Sequence, residues 1–388
     1  MSTAVDVETI PFALPDIDAT DIEAVSAVMA RGWLTTGGEC ARFEQALLKA
    51  LDGQRVEGVA VNSATAALHL ALEALGVTAG SEVIVPTWTF TSTAEVVRYL
   101  GATPVFVDVE PGTLLMPRRA VEQAISERTR AIMPVNFAGV SPSYDWLQEV
   151  IGQRPITVIL DAAHNVPDAS VGTQLAENVD AACFSFYATK AMTTGEGGFL
   201  ATRHARVASR AKTMRLHGID RDVFDRYTAA SRSSDYDVVA PGYKYNLTDT
   251  AAALGLSQLR RAESMRRRRA EIAARYLEAI RREPVEGVDH DMADPSHACH
   301  LFPVCLPPGF TKSTAQVRRS MREAGVVTSM HFKPLHHFSY WRGFVRSESA
   351  FPTADSYARR TFSLPLFSKM TDHQVTRTVD ALKAALRD

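Results

Sequence analysis

DAACFSFYATKAMTTGEGGFL, residues 180–200, decides the fold when it is set beside ILDAAH, residues 159–164. Each opens as a short apolar run of the kind that forms a strand buried on both faces of a parallel sheet. Each then ends abruptly in residues able to do chemistry. Lys190 lies just past the first run, and Asp161 closes the second.

The pattern continues outward from these two runs. GVAV (58–61), EVIVP (82–86), TPVFVD (103–108), RAIMPV (130–135) and ITVILD (156–161) read as strands. Helical periodicity separates them at 63–75, 92–100, 118–125 and 145–151. Such alternation over more than a hundred residues predicts a mostly parallel sheet with helices on both faces. Residues 1–19 read as an extended arm, 19–30 and 39–51 as helices, and 32–38 as the loop between them. Beyond Gly198 a helix is expected at 206–215, then a long polar loop at 219–241 of a length usual in functional or disordered segments. A helix of about nine turns with a bend near Gly255 is predicted over 247–281. After it come a strand at 300–306, a helix at 314–324, a strand at VTSMHF (327–332) and a last helix at 372–386. The division expected is a large domain with its arm over 1–250, then a linking helix and small α+β domain over 251–388.

Composition narrows the classes of function. The 388 residues carry 42 basic and 44 acidic side chains, so nothing points to a nucleic-acid or acidic-membrane partner. The run Arg266–Arg269 sits beside Glu263 and Glu271 in a helical pattern, which is the signature of a solvated helix face. No apolar run reaches the roughly 18 residues of a membrane span. The start, MSTAVDVETIPF, lacks the basic and apolar regions of a signal peptide. Cys40, Cys183, Cys299 and Cys305 show no CxxC spacing, as expected of a reduced cytoplasmic chain.

Of eight lysines, Lys190 alone follows a buried-looking strand and precedes a glycine-rich turn. That setting desolvates an amine and makes it nucleophilic; the plainer alternative is a lysine snorkelling at a strand end. Asp161 ends a run too apolar for an unpaired carboxylate, so it is either a helix N-cap or hydrogen-bonded turn, or the partner of a buried cation. An amine to condense with an aldehyde and a carboxylate to keep a pyridine nitrogen protonated are what a pyridoxal 5′-phosphate (PLP) site needs. His164 follows two residues after that pair of alanines begins and is placed to reach the ring oxygen or to be structural. Ser63-Ala64-Thr65 opens a helix directly after a strand, where a phosphate is held by free N–H groups, or where Ser63 simply caps. Ser185 adds a hydroxyl if it shares the face of Lys190. GEGGFL lacks the third glycine of a dinucleotide fingerprint, which weakens an NAD-linked alternative.

GWLTTG, NSATAALHLALEALGV, EVIVPTWTFTSTAEVV, GATPVFVDV, ILDAAH, FSFYATKAMTTGEGGFLAT, MRLHG, PGYKYNLTD, AALGLSQL and SLPLF, in this order, resemble the PLP-dependent nucleotide-sugar aminotransferases of the DegT/DnrJ/EryC1/StrS family. PGYKYNLTD, TSMHF and SLPLFSKMT resemble in particular the branch that makes UDP-4-amino-4-deoxy-L-arabinose. The resemblance implies PLP fold type I (aspartate aminotransferase-like): a large, mostly parallel seven-stranded sheet plus a small C-terminal α+β domain. It implies no metal, a nucleotide-diphospho-keto-sugar and L-glutamate as substrates, and a homodimer with shared sites.

The family's roles fall on Lys190 (the amine that binds the cofactor and moves the proton), Asp161 (the ring-nitrogen partner) and His331 (a histidine near the sugar). Ser63, Ala64, Thr65 and Ser185 match the phosphate cradle, His164 the neighbour of the ring oxygen and Phe90 the aromatic stacked on the ring. Asn246 matches a residue given to the phosphate by the partner subunit. Thr35, Trp88, Tyr187, His217 and Tyr243 fall in motifs placed around the substrate. The sequence departs from the family pattern at Leu160 (usually Glu), Tyr187 (often His) and Cys299 (usually Trp), and HFKPLHHFSYW (331–341) is where sugar recognition is expected to vary. A family dehydratase has His at the place of Lys190, which argues against that activity. A C3-keto-sugar enzyme of the same family and a non-catalytic PLP-binding regulator remain as alternatives.

Overall fold

The computed structural model of the chain describes residues 8–52, 56–220, 236–345, 347 and 350–387. Residues 1–7 of the expected arm and 221–235 of the expected long loop lie outside the described residues. Seven strands form the main sheet: β1 (Glu57–Val61), β2 (Glu82–Pro86), β3 (Thr103–Val107), β4 (Thr129–Ile132), β5 (Thr157–Asp161), β6 (Ala181–Ser185) and β7 (Gly198–Thr202). Their spatial order is β1-β7-β6-β5-β4-β2-β3. All neighbours are parallel except at β7, which runs antiparallel to both β6 and β1.

Strand β7 and the helix Ala169–Glu177 are two elements the sequence pattern did not mark; the segments Glu286–Gly287, Pro352–Ala358 and Thr361–Leu364 are others. β7 follows β6 without an intervening helix, so alternation gives no cue for it. The helix carries Gly172, which reads as a loop signal but serves a close approach: a Cβ there would lie 1.8 Å from the Leu51 carbonyl oxygen. Asp168 caps this helix, accepting from Ser170 and Val171 N–H at 3.0 and 3.1 Å.

The long helix Asp249–Ile280 passes through Gly255 without interruption. Its first half places Ala252 and Met265 in the core under the main sheet. Its second half places Ile272, Tyr276 and Ile280 in a separate core with Phe302, Val304 and Phe362. That core belongs to a three-stranded antiparallel sheet of β8 (Glu286–Gly287), β9 (Phe302–Cys305) and β10 (Thr361–Leu364), flanked by helices Thr314–Glu323 and Asp372–Arg387. Ile10 of the arm packs into it and bridges Val326. VTSMHF is not the strand expected. Only Ser329 bridges, to Ser363, because the segment turns away to bring His331 and Phe332 over the main sheet.

The consequence for function is a rim. Strands β1, β2, β5 and β6 all leave the sheet on one side, where open α/β sheets bind ligands. Reversed β7 begins on that same side, with Gly198 opposite both Ser185 and Val61. A Cβ on Gly198 would lie 2.4 Å from the Ser63 carbonyl carbon and 2.6 Å from Ala64 N. Gly198→Ala therefore has to push backbone off backbone, at a cost of about 3 kcal/mol, the upper end of overpacking. The expected result is a lower thermal midpoint together with weaker retention of any anion held at Ser63–Thr65. An unchanged midpoint and unchanged retention would show that the two segments are not in contact.

Candidate active site

A cavity of about 410 Å³ opens at this rim, and ten of the residues singled out in the sequence line it. They are Ser63, Ala64 and Thr65 after β1, Phe90 after β2, Asp161 and His164 at and after β5, Ser185, Tyr187 and Lys190 at and after β6, and His331 from the segment before β10.

Asp161 is 4 % exposed and accepts from the Thr93 hydroxyl at 2.8 Å and the Ala163 N–H at 3.1 Å. Since Thr93 spends its one proton on Asp161, the Thr89 hydroxyl 2.8 Å away donates to Thr93. Burial pushes the Asp161 carboxyl up; the Thr93 and Ala163 bonds and the charge of Lys190 pull it back. Burial pulls the Lys190 ammonium down to about 8, against the opposing charge of Asp161. The two groups thus sense each other, and among the described residues no cation is hydrogen-bonded to the carboxylate.

The histidines here are neutral. His164 accepts from the Ala138 N–H through Nδ1 at 3.1 Å, which leaves its proton on Nε2. Burial, Lys190 and His331 hold its pKa well below the ordinary value. His331 is brought to about 4 by burial and by Lys190, and its Nδ1 lies 3.1 Å from the Ser363 hydroxyl. His300, which the sequence did not single out, also lines the cavity, with its ring centre 4.6 Å from that of His164.

The helix-terminus end of the cavity also takes shape. Ser63 caps the helix Ala64–Ala74 through the Ala66 N–H at 3.1 Å. The capping alternative is therefore present, and it is compatible with the other, because the Ala64 and Thr65 N–H groups have no partner within the helix. Ser185, paired with Gly198 in the sheet, also lines the cavity. Phe90 stands at the mouth, 61 % exposed and tilted toward Phe332 at 6.5 Å.

Five singled-out residues lie elsewhere. Trp88 is 1 % exposed and packs edge-on against Phe137 in the core, so it has no face toward the cavity. Asn246, Tyr243, His217 and Thr35 gather beside β1 at the sheet edge. There Asn246 Nδ2 donates to Thr36 Oγ1 at 2.8 Å, Asn246 bridges Val61, and His217 N donates to the Tyr243 carbonyl at 2.8 Å. The exposed Thr35 accepts from the Asp249 N–H through its carbonyl. Thr89 and Thr93 are functional-looking residues that pattern reading missed. Their cue was weak: hydroxyls at the start of a helix that follows a buried strand.

The donor set fits PLP. A buried carboxylate lacking a cation suits a pyridinium, a neutral Nε2–H suits a phenolic oxygen, and a helix N-terminus suits a phosphate. Fold and site define a PLP enzyme of fold type I. The sequence matches the DegT/DnrJ/EryC1/StrS aminotransferase family over residues 15–383, and the chain belongs to that family. It is 38 % identical over 380 residues to the Bacillus subtilis spore coat polysaccharide biosynthesis protein SpsC, with 96 % of each chain covered. The Streptococcus pneumoniae sugar aminotransferase Spr1654 in its PMP form superposes with a TM-score of 0.88 at 30 % identity, covering 97 % of this chain and 99 % of that one. Helicobacter pylori PseC, an aminotransferase in pseudoaminic acid biosynthesis, gives 0.85 at 25 %, covering 98 % and 99 %. The chain is thus a PLP-dependent sugar aminotransferase. Among the described residues no helix is long and apolar enough to cross a membrane.

An amine brought to about 8 titrates where an ordinary lysine, near 10.5, does not. In cofactor-free protein, labelling of Lys190 by an amine-selective reagent should rise with pH around a midpoint near 8. Between about 8 and 10.5 the unfolded chain holds the proton that the folded chain has lost, so this group makes stability rise with pH over that window. A labelling midpoint above 10, by peptide mapping, would refute the burial described here.

Proposed function

We propose that the chain transfers the amino group of L-glutamate to the C4 ketone of a nucleotide-linked keto-sugar, acting as a cytoplasmic homodimer with shared active sites. The observation that carries the reading is that Lys190 and the buried Asp161 line one cavity, each under the other's charge, together with a helix N-terminus.

PLP, when bound, supplies an electron sink for the bonds at the amino-bearing carbon. The chain's residues then have separable roles. Asp161 holds the ring nitrogen protonated, with its own position set by Thr93 and Ala163. His164 offers Nε2–H to the ring oxygen. Ser63, Ala64, Thr65 and Ser185 anchor the phosphate, and Phe90 covers the ring. Lys190, about half neutral near pH 8, is the amine that would hold the cofactor's aldehyde carbon and, once free, would carry on Nζ the proton removed from the donor's α-carbon. His331, neutral and within the cavity, faces the sugar with Tyr187. Fixed positions in this rim account for most of what the side chains contribute.

The sheet-edge group of Asn246, Tyr243, His217 and Thr35 does not line the cavity of its own chain. We assign it to the cavity of a second copy, with Asn246 on the phosphate. Trp88 acts only as a buried support beneath the substrate-facing turn. The same reading divides the chain near residue 250, consistent with the separate cores served by the two halves of the long helix. Names of relatives that refer to polysaccharide and amino-sugar biosynthesis support a sugar destined for a cell-surface or secondary-metabolite product.

A screen of TDP-, UDP- and GDP-linked 4-keto-sugars with glutamate should yield an amino sugar, read by mass and by the position of the new nitrogen. Lys190→Ala should lose both turnover and borohydride-fixable cofactor. Fixable cofactor in that variant would overturn the assignment. Mixed Lys190→Ala and Asn246→Ala protein should recover part of the activity lost by each. Verified heterodimers with no recovery would exclude a shared site.

A further inference from the structure

The segment that delivers His331 and Phe332 to the cavity continues into the short turn Leu335–His337, which sets two imidazoles against the helix Pro352–Ala358. His336 Nε2 and His337 Nε2 lie 2.9 and 2.6 Å from one atom, Asp355 Oδ1. Among the described residues this is the one group of three His, Cys, Asp or Glu side chains whose ligand atoms all fall within 4.8 Å of one another. The amino transfer makes no use of it. Its plainer reading is a hydrogen-bonded clasp, with two neutral rings donating to a shared carboxylate oxygen.

The surroundings of His336 go beyond what a clasp needs. Its ring stacks on Phe351 at 4.2 Å with 17° between the planes, and its Nδ1 lies 2.7 Å from the Thr87 hydroxyl. Thr87 is fully buried, and its carbonyl takes the Leu335 N–H at 2.8 Å. An imidazole that ligates a metal through one nitrogen characteristically has its other nitrogen hydrogen-bonded in this way, which fixes the ring plane and the tautomer. The helix that carries Asp355 is anchored as well. Asp108 accepts from the Thr353 and Ala354 N–H groups at its start, at 2.9 Å each.

The other two ligands are free to adjust. The side chains of His337 and Asp355 are 36 % and 31 % exposed. Ligand atoms about 2.1 Å from an ion at tetrahedral angles are roughly 3.4 Å apart. Opening the present 2.6 Å to that spacing asks for a shift of less than about 1 Å. His337 also lines an open groove beside the cavity, which gives a hydrated ion a way in. The proton count closes too. In each neutral ring the proton passes through solvent from Nε2 to Nδ1, and in His336 it is then donated to Thr87 Oγ1.

Two imidazole nitrogens and one carboxylate oxygen are the donors that suit Zn²⁺ and the neighbouring first-row transition metals, whereas Mg²⁺ and Ca²⁺ take oxygen. We propose that His336, His337 and Asp355 form a site for a zinc-class divalent ion, with water in the fourth position. The ion fastens the segment that carries His331 and Phe332 to the helix Pro352–Ala358. No step of the transfer is routed through it, and the site does not depend on which keto-sugar is used.

The test uses the full-length, PLP-loaded protein, freed of metal by a chelator and titrated with Zn²⁺ against a chromophoric indicator. Uptake of one ion per chain is expected, with a higher thermal midpoint when the ion is bound. His337→Ala and Asp355→Asn, each checked for cofactor absorbance, should weaken uptake by at least about tenfold, and Thr87→Val by about tenfold through its hold on His336. His373→Ala, which removes an exposed histidine from the last helix, should bind as wild type does. Mg²⁺ in about a thousandfold excess should leave the Zn²⁺ in place. The proposal fails if the wild type takes up no Zn²⁺ or if Mg²⁺ displaces it. It fails equally if His337→Ala binds as tightly as wild type, because the ion then sits elsewhere. His337 is partly exposed, so its variant remains decisive even if Asp355→Asn does not fold.

Discussion

A carboxylate buried at the end of an apolar strand is costly to hold, and Asp161 is held by two short hydrogen bonds and one opposing charge. Each of those partners comes from a different part of the chain. The Thr93 hydroxyl arrives on the helix after β2, the Ala163 N–H from the turn after β5, and the charge of Lys190 from the turn after β6. Displacing any of these elements would strand a charge in the core. The same three elements bring in Thr89, His164 and Ser185, so the geometry that stabilises the acid also assembles the walls around it.

The one antiparallel strand completes that arrangement. Because β7 returns along β6, the chain comes back to the rim where it left, and Gly198 meets the backbone of Ser63 and Ala64. The N-terminus of the helix Ala64–Ala74 and the lysine-bearing turn are thereby set against the same strand. The long helix Asp249–Ile280 then carries the chain to a second core, from which the segment before β10 folds back to deliver His331 and Phe332. The cavity is closed by residues far apart in sequence but fixed to rigid elements.

Protonation follows from the same burial. Lys190 is brought down to about 8, His331 to about 4, and His164 and His300 well below an ordinary imidazole, with burial the largest cause for each. The histidines are neutral because a charged imidazole would sit dry and beside Lys190. A neutral His164 with its Nδ1 occupied is a donor through Nε2, which is a stronger statement than its mere presence near the site.

The strands that end at Asp161 and before Lys190, the helices between the earlier strands, the long linking helix and the strand and two helices at 300–306, 314–324 and 372–386 were legible in the sequence, since periodicity and apolar runs record which faces must be buried. The motifs also carried the family and the cofactor, and ten residues that they marked do line one cavity. Other features were decided only by long-range contact. β7 and the helix Ala169–Glu177 had no periodic signature, VTSMHF was shaped by its neighbours into something other than a strand, and Trp88 turned inward to the core. Thr93 acquires meaning only because a carboxylate 68 residues away lies 2.8 Å from it. Local sequence records the tendency of a segment to bury one face; which buried groups meet is set by the packing of distant segments, and that packing is where this site resides.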